Sequence, residues 1–115
     1  MDIDERVAIE VMGWHKSPET GIAWHTAEGK GTGFSVAEVL CCGIAWQPSK
    51  RIDQAWMVEE EITEDGTQFV IGNNFKGGGW WCAFTRYEHE IMANADTAPM
   101  AICLSALKAK GNETK

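Results

Sequence analysis

Three stretches of the chain carry apolar residues at helical spacing, and the segments between them alternate instead. Near the N-terminus Ile3, Val7, Val11 and Trp14 fall on one side of a helix. Asp2 precedes them, with Glu5 three residues on, which is a capping-box arrangement, and Gly13 weakens the last turn. In the middle, Ile52, Ala55, Trp56 and Ile62 form a stripe through residues 50–62, and Pro48-Ser49 opens this helix with Ser49 as its cap. The third helix is the most sharply punctuated. Asp96 and Thr97 are capping types, and Pro99 falls in the first turn, where a missing N–H is tolerated. Met100, Cys103, Leu104 and Leu107 share one face, which predicts the buried side. Lys108 and Lys110 suit the negative end of the helix dipole, and Gly111 can close the helix in the left-handed conformation.

Between the second and third helices the pattern becomes that of a sheet. Asp65-Gly66 reads as a turn and residues 68–75 as a strand. Lys76-Gly77-Gly78-Gly79 is a hairpin connection, and residues 80–86 form the next strand. That strand puts Trp80, Cys82 and Phe84 on one face and Trp81, Ala83 and Thr85 on the other. Aromatics on both faces predict a central strand covered on both sides. Residues 90–94 return as a third strand. Between the first two helices the signals are weaker. Residues 15–21 read as a loop, 22–26 as a short strand, and 28–33 as a turn. Ser35 and Glu38 make another capping-box match, yet Phe34, Val36, Val39 and Leu40 do not decide between a short helix and a strand over 36–42. Strands grouped between helices predict an α+β fold rather than a doubly wound parallel sheet. A three-layer α/β/α sandwich with a small, mainly antiparallel sheet fits the two-faced Trp80-Trp81 strand.

With 115 residues the chain is one domain, large enough for a core without disulfides or metals. Six tryptophans are unusual, and so much aromatic surface points to core or interface, with one or two rings free to wall a ligand site. Any aromatic surface left over favours homo-oligomerisation. The net charge is −7, with much of it in the run from Glu59 to Asp65. That charge argues against broad nucleic-acid binding, which needs a positive field, but leaves room for a small anion held by a few local cations. No apolar run reaches membrane-spanning length and the N-terminus is not a signal peptide, so a cytoplasmic protein is expected, with Cys41, Cys42, Cys82 and Cys103 as thiols. Cys103, on the predicted buried face, reads as a small core residue.

Candidate chemistry is sparse. The histidines are His15, His25 and His89, and there is no Cys-x-x-Cys, His-x-x-x-His or His-Glu-x-x-His. His15 and His25 flank one loop, where they can approach Cys41 or Cys42, but surface and helix-end histidines are the expected reading. No metal and no cofactor is therefore predicted. Ser35 lacks the nucleophile-elbow context. Gly29-Lys30-Gly31-Thr32-Gly33 has the composition of a phosphate-cradling loop without Walker or Rossmann spacing, and its plain reading is a hairpin.

Residues 95–109, Ala-Asp-Thr-Ala-Pro-Met-Ala-Ile-Cys-Leu-Ser-Ala-Leu-Lys-Ala, resemble the C-terminal helix of the phage ABA sandwich domain family. Residues 4–15, with the Val11-Met12-Gly13-Trp14 ending, resemble its opening helix, and residues 48–59 its Pro-Ser central helix. Here Lys50 and Arg51 replace the usual Thr-Asp, so the cap must differ, and residues 16–47 fit the pattern poorly. The resemblance implies the three-layer sandwich over residues 1–110, followed by a disordered tail at 111–115, and a small phage or prophage protein. It implies no particular activity.

The expectation for function is a non-enzymatic binder that sequesters a small anionic nucleotide signal of bacterial immunity. Trp14, Trp24 or Trp81 would stack on the base, and Lys30, Lys76 or Arg86 would meet phosphate. The alternative is an acidic protein-interaction module, acting on a host or phage protein through residues 52–65 or an aromatic patch. A nucleotide hydrolase using His25, Cys42 and a carboxylate is the third reading.

Overall fold

The computed structural model describes residues 2–36, 44–74, 77–86 and 89–113, the last two of these by their backbone. From residue 37 on, the reading of 36–42 as helix or strand lies outside the described residues, as do the cysteines at 41 and 42 and Lys76.

The first helix, α1 (Ile3–Arg6), begins where expected: the Glu5 N–H donates to Asp2 Oδ1 at 2.9 Å. It continues as a wide π-helical turn over Val7–Val11, where the Met12 N–H reaches the Val7 carbonyl at 3.0 Å. The wider turn brings Ala8 inward beside Val7, Val11 and Trp14, all buried. Gly13 takes φ 73°, a left-handed conformation that closes the helix as the Trp14 N–H bonds to the Ala8 carbonyl.

Next come four short strands: β1 (His15–Lys16), β2 (Ala23–His25), β3 (Gly31–Ser35) and β4 (Ile44–Ala45). They pair in sequence order, antiparallel except for the parallel β3–β4 contact. Two expectations change here. Residues 15 and 16 are strand rather than loop, and Gly31 to Gly33 are strand rather than turn. Their partners in β2 decide both, which no local pattern reveals.

The second helix, α2 (Ile52–Thr63), starts later than its Pro-Ser signal suggests. Residues 48–50 form a turn, Arg51 is the cap residue with no side-chain bond, and Ser49 instead donates its N–H to Asp4 Oδ1 at 2.9 Å, tying α2's start to α1. The stripe is rotated as well. Gln54, Ala55, Val58 and Ile62 are buried, whereas Ile52 and Trp56 are 42% and 40% exposed. A buried glutamine is tolerable because its side chain is paired at both ends: its carbonyl accepts from the Gln47 N–H and its amide donates to the Ala45 carbonyl at 3.0 Å.

The meander follows the predicted order: β5 (Gln68–Asn73), β6 (Trp80–Arg86) and β7 (His89–Ala95), antiparallel throughout. The last helix, α3 (Ala98–Glu113), opens at its expected cap, with the Ala101 N–H on the Thr97 carbonyl and the Met100 N–H 3.4 Å from Thr97 Oγ1. It does not stop at Gly111, which keeps the helical conformation, so residues 111–113 belong to the helix. Nor is it buried along one stripe only. Ala101, Ile102, Cys103, Ser105, Ala106, Leu107 and Ala109 are all buried, because α3 packs on β6 and β7 on one side and on α2 and the N-terminal helix on the other. Met100 and Leu104, predicted for the buried face, are only half-buried.

The fold is α+β, with two small sheets where one was expected. α3 lies on the Cys82 face of β5–β7, with Ser105 Oγ 2.9 Å from Cys82 Sγ. On the opposite face Trp81 spreads over Gly72, so closely that a Cβ there would sit 2.7 Å from the indole ring. Val70 and Met92, which flank Ala83 on that face, remain 51% and 48% exposed. The core is continuous. It runs from a Trp14–Trp46–Phe34 cluster beside the first sheet, through the π-helical turn after α1, then α2 and α3, to Cys82 and Phe84 on β6.

Candidate functional site

Of the residues expected to form one ligand site, those that are described do not converge on one opening. Trp24 is 1% exposed and Trp14 9%, so both rings serve the core and present no face for stacking. Trp81 is half-buried on the Gly72 side of the second sheet. Arg86, five residues on, points to the other face and makes an ion pair with Asp65 at 3.1 Å. Lys30 is exposed at the turn before β3. That turn offers no phosphate cradle. The Gly29 N–H already donates to the Thr26 carbonyl, the Lys30 N–H to Thr26 Oγ1, and the Thr26 N–H to the Lys30 carbonyl. Ser35, the weak nucleophile candidate, is 1% exposed.

A different site opens where α2, the second sheet and α3 meet. Ile52 and Trp56 from α2, Ile71 from β5, Trp80 from β6 and residues 96–99 at the start of α3 line a cleft of about 480 Å³. Each wall has a local cause. α2 turns Gln54, Ala55, Val58 and Ile62 inward, which leaves Trp56 40% exposed, its ring edge-on to Phe69 with centroids 5.9 Å apart. Ile71 and Trp80 occupy the face of the sheet that α3 covers, but beyond the point where α3 begins. Pro99 and Ala98 keep the first turn of α3 short in side chain, which leaves the cleft open above Trp80. The lining is almost wholly apolar, with Asp96 and Thr97 as its polar groups and no lysine or arginine among the described residues. A cleft of this size with aromatic walls matches those that hold small flat organic ligands. In the sequence, Trp56 reads as part of a core stripe and Trp80 as a sheet-face residue. The polar Gln54 inside α2's apolar phase is the signal that the helix is rotated.

The buried cysteines are not poised for chemistry. Burial pushes the Cys82 thiol up to about 11, only partly offset by the neighbouring Ser105 hydroxyl, and pushes Cys103 up further. Native protein at pH 8 treated with a maleimide is expected to leave Cys82 and Cys103 unlabelled, with both labelled after addition of denaturant. Peptide mass mapping reads this directly, and rapid native labelling of either residue contradicts the burial. Among the described residues no group of three or more histidine, cysteine, aspartate or glutamate side chains is placed to hold a metal ion. Among them, too, no helix is long and apolar enough to cross a membrane.

The family model for the phage ABA sandwich domain matches residues 5–107. The chain belongs to the phage ABA sandwich domain family. Its fold is also that of a phage protein from Bacillus cereus known from a crystal structure. The two are 21% identical, with a TM-score of 0.66, over 94% of this chain and 88% of the other. No curated protein matches the chain. The matched span reaches from α1 into α3 and so includes every element that lines the cleft. This ABA sandwich domain is thus an accessory protein of phage type, built on a layered α+β scaffold with a tryptophan-walled opening toward solvent.

Proposed function

We propose that this ABA sandwich protein works by binding rather than catalysis, and that it sequesters a small nucleotide-type signal in the cytoplasm of the infected bacterium. The observation that carries this reading is the cleft between Trp56 and Trp80. Base stacking on an aromatic ring contributes about 1–3 kcal/mol per base and does not require a positively charged protein. With no cation in the described lining, the cleft selects the base, and the phosphates stay in solvent at its mouth. The positive end of α3's dipole adds a modest attraction there, which Asp96 opposes.

The test is a melting-temperature screen with cyclic oligonucleotides and ADP-ribose derivatives. One member is expected to raise the melting temperature and to be recovered unchanged after the complex is heat-denatured. Trp56→Ala and Trp80→Ala should each weaken that ligand by about 1–3 kcal/mol, while Trp81→Ala, on the other face of the sheet, should not. A ligand recovered in altered form would instead make the protein an enzyme. A flat response across the screen sinks the nucleotide reading.

A second reading rests on Val70 and Met92, exposed apolar side chains on the sheet face away from α3. Here the protein is an interaction module that covers this face with a host or phage protein, or with a second copy of itself. Val70→Lys with Met92→Lys would then abolish the complex in size-exclusion chromatography and leave nucleotide binding unchanged.

A further inference from the structure

We propose that His15 and His25 form a two-imidazole site for a divalent first-row transition-metal cation. The two residues lie ten positions apart and neither belongs to a metal-binding spacing. Strand pairing brings them together: His15 and His25 are directly opposite each other across β1 and β2. Their rings stand edge to face with centroids 6.0 Å apart. Rotation about the side-chain torsions closes that gap to a shared ion at the usual metal–nitrogen distance of about 2.0–2.1 Å.

Four features of the surroundings favour a ligand there. Trp24, adjacent to His25 and opposite Lys16 in the register, is 1% exposed and turns inward, so the alternation of the strands sends His15 and His25 to the solvent side. On the next strand His25 is paired with Gly31, where even an added Cβ would meet nothing within 4 Å. Space therefore remains beside the rings for the ion and its waters. The net charge of −7 attracts a dication to the surface. Lys16, the charged neighbour on β1, is occupied by Glu5 at 2.8 Å. Neutral imidazoles are borderline-soft donors that suit nickel, copper and zinc, and not magnesium or calcium. Two protein ligands leave the remaining coordination positions to water or to a ligand held in solution. This pair is independent of the Trp56–Trp80 cleft.

The experiment is calorimetric titration of untagged, full-length protein at neutral pH with nickel chloride, and with magnesium chloride in parallel. One nickel ion per chain is expected, with no heat from magnesium beyond dilution. His15→Asn, at the exposed position, should abolish the nickel signal while leaving the metal-free melting temperature unchanged. His25→Gln should abolish it too, and the double variant should lose no more than either single one, because a chelate needs both rings. Binding should persist in the Cys41→Ser, Cys42→Ser double variant. Absence of nickel binding overturns the proposal, as does binding that survives both histidine variants or disappears with the cysteine pair.

Discussion

Trp46→Ala is expected to remove about 3–5 kcal/mol of stability, the cost of truncating a large buried aromatic. Trp46 is 2% exposed and sits at the centre of an aromatic cluster, 4.7 Å from the Trp14 ring and 4.9 Å from Phe34. It also follows β4 directly, and its N–H donates to the Ser35 carbonyl at 3.0 Å, so the ring holds the first sheet to the helices. A domain of this size typically has only about 5–15 kcal/mol in hand. The indole carries a cost of its own, because among the described residues Nε1 is buried without a hydrogen-bond partner, a loss of about 1–3 kcal/mol. Trp46→Phe removes that unpaired donor while keeping most of the apolar contact, so it is expected to destabilise far less than alanine. Urea unfolding of the two variants beside the wild type measures both effects. Equal losses for phenylalanine and alanine would show that the indole's second ring, not the cluster as a whole, supplies the stability.

Gly79→Ala is the second large effect. Gly79 ends the β5–β6 hairpin with φ 86°, a conformation that costs a residue with a side chain about 1–3 kcal/mol. An added Cβ would also meet the Ala95 carbonyl oxygen at 2.9 Å. That oxygen belongs to β7, opposite Trp80 in the register, and backbone held in a ladder cannot swing aside as a flexible side chain would. The penalty therefore adds strain at the hairpin to a disturbance of the sheet's third strand. Gly77→Ala is the control. Its Cβ meets nothing and its φ is not in the left-handed region, so a neutral result or a gain of up to about 1 kcal/mol is expected. Similar melting temperatures for the two variants would mean that the hairpin relaxes freely and that Ala95 is not held where the sheet places it.

Elements whose signals are local are legible in the residues alone. Asp2 caps α1 and Thr97 opens α3 because a side chain and the backbone three residues away settle the geometry between themselves. The meander of β5, β6 and β7 is equally plain, since alternation and turn residues describe a hairpin completely. The phase of α2 is not. Trp56 has the apolarity of a core residue and Gln54 the polarity of a surface one, yet their places are exchanged. Only the position of Ala45 and Gln47 beside α2 supplies the hydrogen bonds that make a buried glutamine acceptable. Gly111 shows the same limit. A glycine can end a helix, but packing of α3 on its neighbours carries the helix past it.

The candidate site divides along the same line. The abundance of tryptophan, the acidic charge and the family membership are properties of the residues as a string. Which rings meet solvent is a property of what stands opposite them. Trp14 and Trp24 are enclosed by elements distant in sequence, Trp81 lies over a glycine on the adjacent strand, and Trp56 and Trp80 are left facing a cleft because α3 begins just past them. His15 and His25 likewise become a pair only through the register of two short strands. Burial and juxtaposition are set by contacts between segments far apart in the chain, so the sequence could name the aromatic and imidazole groups available to this protein, and the tertiary structure alone chose which of them stand together at its surface.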